Sequence, residues 1–271
     1  GCLEQTTSRA WPWLNIERDD LNTLESERTA QLFEQRQQLI DSAISRTLSM
    51  QRYDGSFGLW SNNSPEEPWM TAYVTDFLIE AKQLGYQVPE DNLNRAVRRL
   101  QRYVRSSAFR TDNWSYYDDR EHFELAYRAY SAYVLTKIGS ASLQDVRALY
   151  DKNAADAERS LPLAHLAFAL EKLGDQRRAK LAWGQAFTTK FKHKPYWYYG
   201  DYGSPIRDMS QVASLSLNSK VVEALDLNGL DLVYDLKGEL ESRSWLSTQE
   251  KGALARLAKQ LNGMNSEQSE L

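Results

Sequence analysis

Apolar residues recur along most of the chain with the spacing of an α-helix. Over residues 22–51, Leu32, Leu39 and Ile40 belong to a set that returns near every fourth, seventh and eighth position, which predicts one long amphipathic helix. The same pattern predicts helices over residues 69–84, 89–103, 120–138, 142–152, 155–173, 175–190, 205–217, 219–225, 230–242 and 247–261. A short helix over residues 6–16 brings the total to about twelve, and no stretch convincingly alternates as a strand does. The predicted fold class is all-α.

Helix ends are marked by residues suited to that position. Gly85, Gly139 and Gly174 follow predicted helices, where glycine readily adopts the conformation that ends a helix. Ser142 predicts the N-cap of one helix, and Thr248 predicts the cap of the last one.

Loops rich in glycine and aromatic residues precede several helices, at residues 54–60, 113–117 and 197–204. Such a loop recurs about every pair of helices, which is typical of a repeat array. Repeated helical hairpins that close on themselves form an α/α toroid, whose inner helices carry small and apolar residues on more than one face. Residues 69–78, 124–135 and 209–217 have that composition. An open solenoid is the structural alternative.

Composition excludes several classes of function. The 271 residues are 42% hydrophobic and 26% charged, as in ordinary globular proteins, and they suffice for one large domain or two small ones. A net charge of −4 and a pI near 5.6 give no reason to expect nucleic acid or an anionic membrane as a partner. No apolar run approaches the roughly 20 residues that span a bilayer. Cys2 is the only cysteine, which excludes an internal disulfide.

The two ends of the chain predict its place in a longer protein. There is no initiator methionine or signal peptide, and the chain opens on its most reactive motif, which predicts a domain excised from a larger parent. Residues 1–262 are expected to form that domain. Residues 263–271 are polar and are expected to be a tail or a linker to the next domain.

The opening motif is Gly1-Cys2-Leu3-Glu4-Gln5. A thiol and a carboxamide three positions apart can meet within one tight turn, and Gly1 permits unusual backbone angles before it. If the sulfur displaces the amide nitrogen as ammonia, a small ring closes through a thioester. The product is a stored acyl group, because thiols are stronger acids than alcohols and leave more readily. Such a bond survives only where water is excluded.

The motif resembles the thioester signature of the α2-macroglobulin and complement family, usually Gly-Cys-Gly-Glu-Gln, and Leu3 is similar to the bacterial branch. Residues 54–60 and 69–74 also resemble family segments at the expected distance from the motif. The likeness spans almost the whole chain. It implies an α/α toroid of about six helical hairpins, with the thioester turn ahead of the first long helix.

The resemblance also implies a function. In the family, a protease cuts a bait region, and the uncovered thioester acylates a lysine of the attacker. Cys2 would supply the sulfur and Gln5 the acyl carbon. Such a domain is a single-use protease trap and not a turnover enzyme. Its implied partners are attacking proteases, bound covalently, and the other domains of the parent; the isolated domain is expected to be monomeric. Bacterial relatives imply a periplasmic protein of host defence, a lipoprotein anchored to the inner membrane.

Further residues are assigned supporting roles. Glu4 is expected to shape the turn, with proton acceptance as the alternative. Trp114, Tyr116 and Tyr117 are expected to form an aromatic wall that keeps water off the bond, with ordinary core packing as the alternative. A neighbouring domain of the parent is expected to add to this shielding.

Some complement members use a histidine to pass the acyl group to hydroxyls. The corresponding residues 113–119 contain no histidine in this chain. His122 is nearby but out of register, and it is interpreted as a helix-surface residue and not as a catalytic one. Direct attack by amines is therefore expected to be preferred over transfer to sugar hydroxyls.

Other polar residues predict little chemistry. His122, His165 and His193 lack the spacing of metal ligands, so no metal or other cofactor is expected. Arg207 and Asp208 are expected to form an internal ion pair.

Two other functions stay open on the sequence alone. One is a carbohydrate-active α/α toroid enzyme, in which aromatic loops stack sugars and a pair of carboxylates acts as acid and base. The carboxylates available to it are Asp54, Asp118, Asp119, Glu121 and Asp201. The other is a surface adhesin that attaches to host molecules through the same Cys2–Gln5 bond, although the thioester adhesins have a different fold that contains β-structure.

Overall fold

The computed structural model describes residues 1–16, 26–107, 120–189 and 200–269. Within them lie twelve α-helices, and no strand beyond the isolated bridges Gln51↔Phe57 and Gly58↔Glu66. The helices are α1 (Leu3–Leu14), α2 (Ser26–Leu48), α3 (Pro68–Gln83), α4 (Glu90–Arg105), α5 (Arg120–Lys137), α6 (Leu143–Asn153), α7 (Leu161–Lys172), α8 (Gln176–Thr188), α9 (Pro205–Ser216), α10 (Lys220–Ala224), α11 (Gly229–Glu241) and α12 (Thr248–Ser269). None of these described helices is both long and apolar enough to cross a bilayer.

Most observed helices match the predicted ones within a few residues, and three differ. Helix α1 starts at Leu3 and not at residue 6, so it includes Gln5. Helix α7 starts at Leu161, after a separate turn of 3₁₀ helix, because Pro162 has no N–H to donate and belongs in a first turn. Helix α12 continues to Ser269, through most of the residues predicted as a polar tail.

The ends of the helices follow the predicted signals with one correction. Gly85, Gly139 and Gly174 have positive φ angles and end α3, α5 and α7. The Ser142 side chain accepts a hydrogen bond from Asp145 N–H, as expected of an N-cap. The prediction of Thr248 as the last cap is wrong by one residue. Ser247 Oγ accepts from Glu250 N–H (3.1 Å) while Glu250 Oε1 accepts from Ser247 N–H (2.9 Å), which is a capping box.

The chain divides into two compact units, Gly1–Ala96 and Val97–Leu271. In the first unit, α1 packs against both α2 and α3. Thirteen of the sixteen residues of α3 are buried, so this helix is enclosed on every face, as predicted for an inner helix. A loop from Gln51 to Glu67 joins α2 to α3 and passes beside the start of α1.

In the second unit, α7 packs against α5, α8 and α9, and α9 packs against α11 and α12. Helix α5 is buried along most of its length, as predicted. Helix α7 is equally buried, although it was not among the helices predicted to be inner ones. A smaller cluster of Ile206, Ala213, Leu236 and Leu257 joins α9 to α11 and α12.

Candidate functional site

The opening motif forms the N-terminal turn of α1. Cys2 is the N-cap, with an extended backbone (φ −70°, ψ 171°), and its carbonyl accepts the first helical hydrogen bond, from Thr6 N–H at 3.0 Å. Gln5 is therefore the third residue of the helix. In a capping box, the side chain at this third position reaches back to the N-cap residue. The spacing of Cys2 and Gln5 thus places a thiol and a carboxamide where two side chains commonly meet.

The Gln5 side chain does fold back over the start of the helix. A Cβ atom added to Gly1 would lie 3.3 Å from Gln5 Oε1, which places the carboxamide beside the residue that precedes Cys2. Cys2 is a free cysteine and is half-buried, whereas Gly1 and Gln5 are exposed. Both reactive groups are therefore reachable from solvent within the part of the chain that the structure describes.

The loop before α3 anchors the start of α1. Leu3 is fully buried, and its N–H donates to the carbonyl of Leu59 at 2.8 Å, which satisfies a donor that a helix start leaves unpaired. The same loop is tied to the start of α3, because Glu67 N–H donates to the Phe57 carbonyl at 3.0 Å and Phe57 N–H donates to Thr71 Oγ1 at 3.0 Å. One short segment therefore holds the first turns of both helices.

Glu4 points into the protein and not towards solvent. Its side chain accepts a hydrogen bond from Ser8 Oγ at 2.7 Å, and Ser8 in turn lies 2.8 Å from the hydroxyl of Tyr73 on α3. All three side chains are buried. The Glu4 carboxylate therefore links the first turn of α1 to α3. Its role in shaping the thioester turn stays a prediction.

The predicted aromatic wall of Trp114, Tyr116 and Tyr117 lies outside the described residues, as does His193. Among the described residues, no group of three or more His, Cys, Asp or Glu side chains is arranged to hold a metal ion.

His122 is buried, and the expectation of a helix-surface histidine is wrong. Only 2% of the side chain is exposed. Its Nδ1 accepts a hydrogen bond from Glu158 N–H at 2.9 Å, and its Nε2 lies 3.1 Å from Arg159 Nε and 3.5 Å from Asp201 Oδ2. The polar residues around it in sequence suggested exposure, but its partners come from distant segments and enclose it. Both ring nitrogens are engaged, which leaves no nitrogen for acyl transfer.

The remaining charged residues of this region form a buried network. Asp201 contacts Arg159 at 2.5 Å and Arg207 at 3.4 Å, and Arg207 Nε donates to Asp208 at 2.7 Å, which confirms the predicted internal ion pair. Burial opposes ionisation of Asp201, but the positive charge of Arg159, the hydrogen bond from His122 and the charge of Arg207 hold its pKa well below its usual range. These contacts are structural.

His165 is also buried, between the rings of Tyr130 and Tyr133, with centroid distances of 4.8 and 4.9 Å. Burial, and next the positive charge of Arg207, lower its pKa well below 6.5, so it is neutral at physiological pH.

Glu67 is a polar residue whose special environment was not predicted from the sequence. It is the N-cap residue of α3, half-buried, and burial raises the pKa of its carboxyl to about 7. The one signal in the sequence is its position directly before Pro68, since proline favours the first turn of a helix and an extended residue before it.

Comparison with known proteins places this helical domain in a family. The model of the A-macroglobulin TED domain matches residues 1–180. The alpha-2-macroglobulin of Escherichia coli K12 is 37% identical over 254 residues, which are 94% of this chain and 15% of that protein. The chain therefore belongs to the A-macroglobulin thioester (TED) domain family, as its resemblance implied. It spans about one seventh of the length of that relative.

Solved structures agree in fold over 96% of the chain. Native E. coli alpha-2-macroglobulin, from domain MG7 to the C-terminus, gives a TM-score of 0.84 at 35% identity, and the chain covers 40% of it. The trypsin-activated E. coli protein gives 0.81 at 36% identity, with 17% of that chain covered. Salmonella alpha-2-macroglobulin reacted with methylamine gives 0.82 at 36% identity, with 16% covered. This likeness confirms the predicted fold class, all-α and of the α/α-toroid type.

Proposed function

We propose that Cys2 and Gln5 form an internal thioester that traps an attacking protease covalently. The Cys2 thiol adds to the side-chain carbonyl of Gln5, the C–N bond breaks, and ammonia leaves with the thiol proton. A lysine amine of the protease later attacks the same carbonyl, the C–S bond breaks, and an amide and a free Cys2 thiol result. The domain reacts once, so it acts as a trap and not as a turnover enzyme.

One observation carries this proposal: the Gln5 carboxamide folds back over Gly1, beside the N-cap position of Cys2. A ring between the third helical residue and the N-cap residue is the covalent counterpart of a capping box. The family supports the same chemistry. Its alpha-2-macroglobulins are protease inhibitors and not catalytic enzymes, one related structure is of a trypsin-activated form, and another is of a form reacted with methylamine.

Exposure of the motif makes a cover necessary. Gln5 is exposed and Cys2 is half-buried in the described residues, and water hydrolyses an exposed thioester. We assign the cover to the aromatic side chains of Trp114, Tyr116 and Tyr117 together with a neighbouring domain of the parent. Cleavage of a bait region would remove this cover and admit the lysine.

Amines are the preferred nucleophiles in this proposal. His122 is buried, with both ring nitrogens engaged, and residues 113–119 include no histidine. No acyl-imidazole is therefore formed at these positions, and the amine attacks the thioester directly. The parent is assigned to the periplasm as a lipoprotein of the inner membrane, where it would defend its host cell against foreign proteases.

The structure favours this function over a carbohydrate-active enzyme. Asp201 is 1% exposed and paired with two arginines, so no sugar reaches it. Asp54 accepts hydrogen bonds from the backbone and hydroxyl of Ser56 and shapes its own turn. Asp118 and Asp119 lie outside the described residues. An adhesin would use the same bond, and the sequence similarity to protease inhibitors argues for the trap.

The proposal is tested by intact mass and thiol titration of the full-length protein that carries this chain. We expect the native protein to be one ammonia lighter than its sequence and to have no titratable Cys2 thiol. Methylamine should add its mass and release the thiol, and trypsin should become covalently attached. Cys2→Ala and Gln5→Ala should lack the mass deficit and the covalent product. A native protein with a free thiol and an intact Gln5 amide would overturn the proposal.

A further inference from the structure

Glu67 occupies the start of α3 without capping it. The residue has an extended backbone (φ −113°, ψ 93°), as expected before Pro68, and its side chain makes no capping hydrogen bond to α3. Its backbone is held on both sides, because its N–H donates to Phe57 and its carbonyl accepts from Thr71 N–H at 2.8 Å. The carboxyl group of Glu67 is thus carried by a backbone that is hydrogen-bonded on both sides, and it does not cap α3.

The packing of α1 on α3 brings Glu67 to the level of Cys2. Ser8 pairs with Tyr73, and further along, Trp11 packs against Phe77 with ring centroids 5.8 Å apart. Both helices therefore run in the same direction. Six residues back from Ser8 is Cys2, and six residues back from Tyr73 is Glu67. The two N-cap residues are consequently at corresponding positions of adjacent parallel helices.

A second set of contacts brings the same two ends together independently. In the segment Phe57–Leu59, the Leu59 carbonyl accepts a hydrogen bond from Leu3 N–H, and the Phe57 carbonyl accepts one from Glu67 N–H. Leu3 follows Cys2 directly. One three-residue segment therefore bonds to the backbone at Glu67 and to the backbone next to Cys2.

Its surroundings leave Glu67 poised to exchange a proton near neutral pH. Burial raises its pKa to about 7. Two elements lie beside Glu67: α1 and the loop that precedes α3. At that end they carry the titratable groups Cys2 and Glu4 on α1 and Glu66 in the loop. Arg52 and Asp54 lie in the turn before Phe57, where they form a pair at 3.9 Å. A general base works best when its pKa lies near the working pH.

We propose that Glu67 is the proton-transfer residue of the thioester site, an inference that rests on the Cys2–Gln5 thioester proposed above. As an amine attacks the Gln5 carbonyl, the Glu67 carboxylate accepts a proton from the attacking nitrogen. The C–S bond then breaks, and the resulting Glu67 carboxyl group gives that proton to the departing Cys2 sulfur. The products are an amide and a thiol, and Glu67 returns to its starting form.

The same residue serves formation of the bond. Formation with loss of ammonia is the reverse of attack by ammonia, so both directions pass through the same transition state and the same proton carrier. In formation, Glu67 accepts the proton of the Cys2 thiol and delivers it to the departing amide nitrogen.

The test uses Glu67→Gln, Glu67→Asp and the neighbouring control Glu66→Gln in the full-length protein. Methylamine is the probe, and thiol release is followed as a rate per neutral amine over pH 5 to 9, a range of roughly two units on either side of the Glu67 pKa. We expect the wild-type rate to rise through pH 7 and then level off. Glu67→Gln should lower the rate roughly 100-fold and remove this rise. Glu66→Gln should behave as the wild type, and Glu67→Asp should restore part of the rate.

Intact mass separates the possible failures. A wild-type protein without the mass deficit of a thioester would sink the proposed function itself. A wild type with the deficit, together with a Glu67→Gln variant that has the wild-type rate and pH profile, would overturn only the role of Glu67. A folded Glu67→Gln that never forms the bond supports the role if Glu67→Asp does form it. Failure of both folded variants to form the bond would refute it, because the aspartate retains the carboxylate.

Discussion

Asp201→Asn should be among the most destabilising conservative substitutions in this chain. The aspartate side chain is 2% exposed, and its carboxylate lies 2.5 Å from the guanidinium group of Arg159 and 3.4 Å from that of Arg207. Arg207 is also paired with Asp208 at 2.7 Å, so two guanidinium groups and two carboxylates balance in charge. The asparagine amide of the variant would keep the shape of the side chain but leave one buried positive charge uncompensated.

The magnitude follows from that imbalance. Removing one partner of a buried ion pair costs about 3–5 kcal/mol, because the remaining charge stays away from water without compensation. For a domain of this size, about 4 kcal/mol corresponds to a fall in Tm of roughly 10 °C. The pKa of Asp201 lies well below its usual range, so the difference from wild type should persist throughout the neutral and mildly acidic pH range.

The assay is urea unfolding of the purified chain at pH 7, followed by far-ultraviolet circular dichroism. Asp145→Asn is the matched control. Asp145 pairs with Arg105 at 3.2 Å, and because the arginine side chain is exposed, this pair should contribute less than about 1 kcal/mol to the free energy of unfolding. Removing the opposing charge as well, in Asp201→Asn with Arg159→Met, should recover part of the lost stability. If Asp201→Asn unfolds within 1 kcal/mol of wild type, about the range of an exposed pair, the reasoning is refuted.

Three further predictions concern a turn and two carboxyl groups. Gly55→Ala should destabilise the chain by at least about 1–2 kcal/mol, because φ is +89° and the new Cβ would lie 2.2 Å from a backbone carbonyl of α4. Thermal unfolding measures this loss, and an unchanged Tm would contradict the prediction. Asp175→Asn keeps the cap of α8 but loses its partners Arg147 and Arg178. Although burial opposes ionisation, these arginines lower the Asp175 pKa to about 2, so the carboxylate stabilises the fold above its unfolded pKa of 3.8, and this contribution is lost as pH falls towards 2. Asp175→Asn should lower the free energy of unfolding at pH 7 by only about 1 kcal/mol, since Arg147 is 45% exposed and its charge is screened. Urea unfolding at pH 7 and pH 2 checks that this difference from wild type disappears in acid. Because the pKa of Glu67 is raised in the folded state, the stability of the wild type should fall as pH rises from 4.5 to about 7. Glu67→Gln should therefore stabilise the fold above pH 7 by at most about 3 kcal/mol and have no effect at pH 4. Urea midpoints that are equal for both proteins at pH 8 would show that the carboxyl is not buried.

Much of the fold could be predicted because helix formation is governed by local patterns. The 3.6-residue period located nearly every described helix, and Gly85 and Gly174 ended theirs for a steric reason that is visible in the sequence. The opening motif was likewise recognisable, since the chemistry of a thiol and a carboxamide at that spacing needs only a tight turn. The start of α1 was placed less well because the N–H of Leu3 is satisfied by the distant carbonyl of Leu59. The start of α7 was also misplaced, although Pro162 marks a first turn in the sequence.

Polar side chains were the hardest to place. His122 looked like a surface residue because its neighbours Arg120 and Glu121 are charged, yet its partners are Glu158 and Arg159, more than thirty positions away. No local pattern distinguishes a buried, paired histidine from a solvated one. The charge balance around it becomes visible only when these segments are packed together.

By itself, the sequence determined the class of secondary structure, most helix boundaries and the spacing of Cys2 and Gln5, the pair proposed to form the thioester, because each depends on neighbours within a few positions. Tertiary structure alone decided that Leu59 anchors Leu3 and that Ser8 pairs with Tyr73, the contacts from which the level of Glu67 beside Cys2 is inferred. Contacts between residues so far apart follow from how the helices pack, and burial by that packing is also what raises the pKa of Glu67 towards neutrality.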